Sequence, residues 1–386
     1  MTRPRLALWL LILAACGPPE LEPSPRPAAP EREPAAESTT DAPPEPPPPP
    51  APPECPLEDV PLDFRSASET STLALTLHDS GGALAIGDGE AVRFVPLAAD
   101  GTASGTAVPV PLRGSLLALE AVGDDANPYV IVTRGPCAES AHCLTARRVN
   151  EAAPEATVSA PLPAALVTTR RAVADSRLHL AWSAEGGERG LETFVVAPAL
   201  GRIRRALGPE PADAELPVEI LGLAAEGERF AVLTRRGAGE DRRSRVTLTS
   251  NDHHAELEAL EEVLVVEAME FDGANVALVA GFEMSRPHLL ELEPGQEEPR
   301  HASEIAVGDV PDRFADRVRA ALLQDEDGLH LRRRDAAGDV IGERVTVVEG
   351  RVRVGTVARR GEAFLVAWLD GEGELGARWV RCETGD

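Results

Sequence analysis

The sequence predicts an all-β fold, a β-propeller of seven four-stranded blades, on three observations. Short apolar runs recur through residues 56–386, with starts about 43 to 52 residues apart. Gly, Asp and Glu separate these runs, and amphipathic helical periodicity is hard to find. The roughly 330 residues after Cys55 also divide into seven units of about 47, the length of one four-stranded blade.

Each run is short, largely apolar and bounded by turn residues, as expected of a buried strand. The runs are Ala83–Ile86, Tyr129–Val132, Leu178–Trp182, Phe230–Leu233, Val276–Ala280, Arg319–Leu323 and Phe364–Trp368. Trp182 and Trp368 are each followed by an acidic Gly-rich turn and another apolar strand, so the surroundings recur as well. The alternative is a pair of β-sandwiches. The pattern resembles that of divergent propellers of bacterial envelope proteins, without their Trp-Asp or kelch signatures.

The last unit contains only three candidate strands, 351–358, 364–369 and 377–382. Residues 56–64 form a spare strand at the other end of the domain, with Val60, Leu62 and Phe64 on alternate positions. We therefore expect the N-terminal strand to pair with the C-terminal one and complete the seventh blade.

Four cysteines lie in this domain, and an even number in an exported chain indicates two disulfides, with three possible pairings. If the terminal strands pair, Cys55 and Cys382 come close together. Cys137 and Cys143 flank a short hairpin turn. We predict the pairs Cys55–Cys382 and Cys137–Cys143; four unpaired thiols are the alternative.

The N-terminus has the organisation of a secretory signal. Arg3 and Arg5 precede an apolar run, 6–13, that is shorter than the roughly 20 residues a membrane-spanning helix needs. The segment Leu13-Ala14-Ala15-Cys16 resembles the lipobox of bacterial lipoproteins. That resemblance implies removal of residues 1–15 and lipidation of Cys16, including a palmitate-type acyl chain. Gly17, at the position after the cysteine, then favours sorting to the outer membrane.

Residues 16–54 are predicted to be a lipidated, Pro-rich disordered tether. Sixteen prolines lie between residues 18 and 54, and almost nothing there can be buried in a core. A polyproline II chain of this length could extend on the order of 100 Å, which suits a spacer. A Pro-rich ligand for a partner domain is the sharper alternative. The propeller domain itself is assigned to residues 55–386.

The formal net charge of −26 excludes some partners. Such an acidic surface repels phosphate backbones, so no nucleic-acid partner is expected. Attachment to anionic lipid also requires the acyl chains on Cys16.

Motifs that carry chemistry are scarce. Two segments contain residue types that bind metals. The cluster 251–254, Asn-Asp-His-His, is a candidate metal site, and the segment 325–328, Asp-Glu-Asp-Gly, is a candidate start of a calcium loop. Adjacent histidines on a strand point to opposite faces, and Ala336 occupies the position where an EF-hand needs Glu. Both segments are interpreted as turns, as are Asp88-Gly89, Asp272-Gly273 and Asp370-Gly371.

No nucleophile elbow, zinc-protease motif or phosphate-binding loop is present. His179 is expected to be exposed on one side of its strand. The runs Arg332–Arg334 and Arg242-Arg243 are expected on solvated strand edges or salt-bridged faces, with a partner site as the alternative.

The sequence therefore predicts a monomeric outer-membrane lipoprotein, on the periplasmic face or the cell surface, whose propeller binds a protein or glycan partner. No catalytic, cofactor or metal residue is assigned, and the protein is not expected to be an enzyme. The alternative is a propeller-fold extracellular hydrolase or lyase. A pocket on the ring axis lined by His and paired carboxylates would favour the enzyme, and apolar or Arg anchors would favour binding.

Overall fold

A computed structural model of the chain describes residues 55–66, 68–122, 129–149, 156–197, 199–207, 218–236, 245–251, 253–257, 263–282, 288–299, 301–304, 320–334 and 340–382. The described residues form 27 β-strands, all within one compact unit, Ala51–Asp386. The strands group into seven antiparallel sheets that follow one another along the chain. The predicted seven-bladed propeller is confirmed.

The first three blades are each built from four consecutive strands. Blade 1 comprises β2 (Thr72–His78), β3 (Gly81–Gly87), β4 (Val92–Ala98) and β5 (Val108–Val110), and β1 belongs to the last blade, described below. Blade 2 comprises β6 (Ser115–Ala121), β7 (Tyr129–Gly135), β8 (Cys143–Val149) and β9 (Thr157–Pro161). Blade 3 comprises β10 (Leu166–Ala174), β11 (Arg177–Ala184), β12 (Arg189–Val195) and β13 (Gly201–Ala206).

Blades 4 and 5 repeat this order, and blades 6 and 7 depart from it. Blade 4 comprises β14 (Val218–Glu226), β15 (Arg229–Arg236), β16 (Arg245–Ser250) and β17 (His254–Glu256). Blade 5 comprises β18 (Val263–Asp272), β19 (Asn275–Phe282), β20 (His288–Leu292) and β21 (His301–Glu304). Blade 6 has β22 (Ala320–Gln324), β23 (Gly328–Arg334) and β24 (Val340–Glu349). Blade 7 has β25 (Val352–Arg360), β26 (Ala363–Asp370), β27 (Leu375–Arg381) and β1 (Leu57–Asp59).

The three described strands of blade 6 run in the directions of the second, third and fourth strands of a blade. In neighbouring blades the first strands start side by side, as the 3.2 Å hydrogen bond from the Leu116 amide to Thr72 Oγ1 shows. In blade 6, by contrast, the end of β22 lies beside the start of β25, because Gln324 Nε2 donates a hydrogen bond to the Val352 carbonyl at 2.8 Å. The predicted run Arg319–Leu323 is therefore in phase with the other second strands, and residues 305–319 lie outside the described part.

The N-terminal strand completes blade 7 as predicted, but it ends at Asp59 instead of extending over 56–64, and Val60, Leu62 and Phe64 pack against the core after it. Strand β1 pairs antiparallel with β27, placing Leu57 opposite Val380 and Asp59 opposite Arg378. The pairing continues past the strand, where the Val60 amide donates to the Ala377 carbonyl at 2.8 Å.

Both predicted disulfides are present. Cys55–Cys382 joins residues 327 positions apart, and Cys137–Cys143 closes a turn of six. The first bridge links the two ends of the propeller beside the β1–β27 pairing. The second bridge lies in blade 2, where it links Cys137, in the turn after β7, to Cys143, the first residue of β8.

The core lies between blades rather than in one central mass. Six apolar clusters each combine side chains from two adjacent blades. The recurring tryptophans take part in this packing. The Trp182 ring covers Gly190, where an added Cβ would lie 2.6 Å from Cζ2, and Trp368 covers Gly376 in the same way. Since no side chain fits beneath either ring, the Trp and the Gly eight residues later form one packing unit.

Candidate binding site on the propeller axis

The first strands of the blades surround a cavity of about 520 Å³. This volume is within the range of ordinary ligand sites. Its lining comes from β6, β10, β14, β18 and β25, and thus from five blades. The lining residues are Glu120, Arg170, Arg171, Ala172, Val173, Leu221, Gly222, Leu223, Val266, Ala268, Met269 and Val357.

The charged part of this cavity is one ion pair and one further guanidinium. Arg171 Nε donates to Glu120 Oε1, joining blade 3 to blade 2. Arg170 is half-buried and donates through Nε to the Leu221 carbonyl at 3.1 Å and through Nη1 to the Thr169 carbonyl at 3.0 Å. Among the described residues Arg170 Nη2 has no partner, so it is free to bind an acceptor.

The rest of the lining is apolar and partly open to solvent. Val173 keeps 37% of its surface exposed, which is unusual for a valine inside a ring of strands. The first strand of a blade pairs with the second strand only, so its other edge has backbone N–H and C=O groups facing the axis. The cavity therefore combines apolar surface, two guanidinium groups and unpaired strand edges.

This lining does not provide general acid–base chemistry. Among the described lining residues there is one carboxylate, Glu120, which is engaged by Arg171, and no histidine. Glycoside hydrolysis ordinarily uses two carboxyl groups, and hydrolysis by a serine requires a base beside the nucleophile. Throughout the described ranges no three His, Cys, Asp or Glu side chains are grouped as metal ligands. Within the same ranges there is no helix with the length and apolar character needed to cross a membrane.

A second cavity, of about 430 Å³, lies between blades 4 and 5 and contains part of the predicted turn 251–254. The Ser250 amide donates to the His253 carbonyl at 2.9 Å, which confirms the turn. Asn251 Oδ1 accepts the Phe230 amide at 2.8 Å, and Arg229 stacks on Phe271 at 4.2 Å and pairs with Glu226 at 2.7 Å. Arg229 therefore joins the two blades, and it also donates to the Gly273 carbonyl of blade 5 at 2.9 Å, while the Asn251 and Glu226 contacts lie within blade 4.

The Asp325–Gly328 segment is also a turn, as predicted. Asp325 Oδ1 accepts the Asp327 and Gly328 amides at 3.0 and 3.1 Å, and Oδ2 accepts Arg344 Nη1 at 2.6 Å. The hydrogen bond from His330, followed by the amide and Arg344, lowers the pKa of Asp325 to about 2. The carboxylate of Asp88 accepts the Ala91 amide at 2.8 Å in the same manner, so Asp88-Gly89 is confirmed as a turn.

One expectation about these side chains is wrong and another is confirmed only in part. His179 is buried, with 2% of its surface exposed, because its face of β11 packs against blade 4. Burial lowers the pKa of His179 to about 4, and Thr193 Oγ1 lies 3.0 Å from its Nδ1. Arg332 is exposed, as expected of a solvated edge, whereas Arg333 is buried and burial lowers its pKa. The run Arg242-Arg243 lies outside the described residues.

A buried glutamate of blade 3 was missed by the sequence reasoning. Glu192 on β12 has no exposed side-chain surface, and Arg204 Nε lies 3.2 Å from its Oε1. Burial raises the pKa of Glu192 to about 7, against the opposing effect of Arg204 and Arg202. Both arginines also donate to the backbone of blade 2, including 2.7 Å from Arg204 to the Pro161 carbonyl. The cluster therefore joins the outer parts of blades 2 and 3.

A second cluster, around His78, also escaped the sequence reasoning. His78 Nε2 lies 2.7 Å from Tyr129 Oη, and Nδ1 lies 3.1 Å from Ser80 Oγ. Tyr129 Oη donates to the Gly82 carbonyl at 3.2 Å. With the proton on Nε2, His78 donates to Tyr129 and accepts the Ser80 hydroxyl proton. Burial and the nearby Arg360 lower the pKa of His78, which favours its neutral imidazole.

Comparisons with known proteins assign neither a family nor an activity to the chain. The chain matches no protein family, and no curated protein is significantly similar to it. Among solved structures it is similar to the β-propeller domain of Cps50 (Swd1) from Myceliophteria thermophila, at 11% identity and a TM-score of 0.48, covering 84% of this chain and 99% of that one.

Two enzyme structures are similar at comparable distance. An ancestral GH74 enzyme has 11% identity and a TM-score of 0.40, with coverage of 80% of this chain and 48% of that one. A prolyl endopeptidase structure has 10% identity and a TM-score of 0.41, with coverage of 78% and 47%. The chain thus spans about half the length of these two proteins.

Proposed function

We propose that this protein is a lipid-anchored binding propeller of the bacterial cell envelope. The axial cavity carries the proposal, because its described lining residues combine apolar side chains with arginine anchors and include neither a histidine nor a pair of carboxylates. A binding role needs only such a surface, whereas hydrolysis or elimination would need a positioned acid and base. The partner is a protein or a glycan in the envelope.

The anchor proposed for this protein is Cys16, which lies outside the described residues. The basic start, short apolar run and lipobox-like segment support lipidation there. Metabolic labelling with an alkynyl fatty acid in a bacterial host tests it. We expect label on the full-length protein, which fractionates with membranes, and no label on Cys16→Ala. A labelled Cys16→Ala protein, or an unlabelled wild type, would refute the anchor.

Binding can be tested by site-directed photo-crosslinking in intact envelopes. A photoreactive residue replaces Val173 in the axial cavity or, as a matched control, Val108, which is 45% exposed on the outermost strand of blade 1. We expect a discrete envelope adduct from position 173 that the control position does not give. Equal adducts at both positions, or none at 173, would count against an axial binding site.

A hydrolase is the second candidate, and the Ser80–His78–Tyr129 cluster favours it. A serine hydroxyl beside a neutral, oriented imidazole is the arrangement of an activated nucleophile. A fluorophosphonate probe tests it on the full chain. Covalent labelling that both Ser80→Ala and His78→Gln abolish would support the hydrolase and overturn a purely binding role. We expect no labelling above that of Ser80→Ala.

A further inference from the structure

We infer that the axial cavity binds an extended peptide segment of a partner protein in which an acidic residue adjoins an apolar one. The inference rests on the proposed binding function and names its ligand. It depends on three features of the described lining: its charge, its apolar surface and its free strand edges.

Charge complementarity selects the acidic group. The cavity contains two guanidinium groups against the single carboxylate of Glu120, in a chain whose net charge is −26. Arg171 is paired with that carboxylate, while Arg170 retains an unpartnered Nη2. A carboxylate is the acceptor that a half-buried guanidinium binds most strongly, because hydrogen bonds between charged groups are about twice as strong as neutral ones. The Arg170 side chain is held by two backbone carbonyls, so little ordering is required when a ligand binds.

The neighbouring surface selects an apolar side chain. Val173, Val266 and Val357 lie on three different first strands, line the same cavity and are not buried. Burial of an aliphatic side chain here removes apolar area from water on both partners, at about 25 cal/mol per Å².

The strand edges favour a polypeptide over a glycan. The inner edges of β10 and β14 have no strand partner, and such edges bind extended peptides through main-chain hydrogen bonds. Large aromatic side chains supply flat apolar faces for stacking. The described residues that line the cavity include no Phe, Tyr or Trp, so none of them offers a sugar ring an aromatic face to stack on.

The first experiment measures binding of labelled peptides to the full mature protein in detergent. The probes are fluorescein-Gly-Leu-Glu-Leu-Gly-amide and its matched neutral form with Gln in place of Glu. We expect the Glu peptide to bind at least tenfold more tightly, with the difference shrinking as salt increases. Equal binding of the two peptides, or no binding of either, would overturn the inference. Tighter binding of cellopentaose than of the Glu peptide would assign the cavity to a glycan instead.

Variants locate the site. Val173→Asp adds a carboxylate to the cavity and should weaken binding of the Glu peptide tenfold or more. Its matched control is Val167→Asp, which changes a 47% exposed valine on the same strand that does not line the cavity. Arg170→Met should have the same effect as Val173→Asp, and circular dichroism checks that each variant is folded. Equal loss from both valine variants would place the peptide elsewhere.

Failure of this inference is distinguishable from failure of the binding function. A position-173 crosslink to an envelope partner together with absent peptide binding would reject the acidic-apolar peptide and retain the binding role. Absence of the crosslink together with probe labelling of Ser80 would reject the binding role itself.

Discussion

The indole Nε1 of Trp379 donates a 2.5 Å hydrogen bond to the backbone carbonyl of Asp100. Trp379 is in blade 7 and Asp100 is in a turn of blade 1, so this bond joins the last blade to the first. The Trp379 ring is fully buried and lies between the guanidinium groups of Arg360 and Arg381, at 4.9 and 5.1 Å. Ring closure thus involves a side-chain contact as well as the terminal strand pairing.

The residue after Asp100 should be sensitive to enlargement. Gly101 has a φ of +85°, and an added Cβ would lie 2.7 Å from Trp379 Nε1. Gly186 has a similar φ of +88° with nothing within 4 Å of its Cβ position, so Gly186→Ala isolates the backbone strain. We expect Gly186→Ala to cost about 1 kcal/mol and Gly101→Ala at least about 1 kcal/mol more, by urea unfolding. Equal losses would mean that the ring does not restrict this turn.

The two disulfides should differ in their contribution to stability. On the chain-entropy model the ring-closing bridge, with a separation of 327, contributes roughly 6 kcal/mol, and the hairpin bridge, with a separation of 6, about 2 kcal/mol. Double Ser variants of each pair, compared by urea unfolding under oxidising conditions, measure this. We expect the larger loss for Cys55/Cys382. A larger loss for Cys137/Cys143 would contradict the role of the first bridge in joining the chain ends.

Glu192 should make the free energy of unfolding fall as the pH rises through neutrality. Its pKa is raised from 4.5 to about 7 by burial, so its contribution is fully present below pH 4.5 and lost as pH rises through 7. We expect wild type to lose roughly 3 kcal/mol relative to Glu192→Gln between pH 5 and 8.5. Glu188→Gln, at an exposed turn of the same blade, is the control. If Glu192→Gln follows the wild-type pH profile, the carboxylate is already ionised at pH 5.

His179 should make the free energy of unfolding fall as the pH becomes acidic. Its pKa is lowered from 6.5 to about 4 by burial, so stability is present above pH 6.5 and is lost as pH falls toward 4. His179→Gln should flatten this acid limb by about 2–3 kcal/mol in urea unfolding. His142→Gln, at an exposed histidine of blade 2, should leave it unchanged. An unchanged acid limb in His179→Gln would show that the imidazole is solvated in the folded protein.

The strand pattern and the cysteines were predictable because they depend on local sequence and on chain order. Alternation at Val60, Leu62 and Phe64 indicated the spare strand, and its position relative to Cys55 and Cys382 then determined the pairing of the cysteines. The turns at Asp88 and Asp325 were also predictable, since their carboxylates bind amides two or three residues away.

The groups at the candidate sites were not predictable in this way. Arg171 and Glu120 are 51 residues apart, as are His78 and Tyr129. Each separation is about one blade length. Comparing equivalent positions of consecutive blades in the sequence could therefore have indicated these pairs, whereas a search for single motifs could not. Burial of His179 likewise depends on which face of β11 packs against blade 4, and a strand apolar on both faces does not reveal this.

The amino-acid sequence by itself determined the number of blades, the strand that closes the ring and the bridge between its ends, because strand periodicity and turn chemistry act over a few residues. Tertiary structure alone decided which charged groups meet on the axis and which are buried between blades. Those contacts join residues a whole blade apart, and their energies depend on distance and solvent exposure, which exist only once the sheets are arranged around the ring.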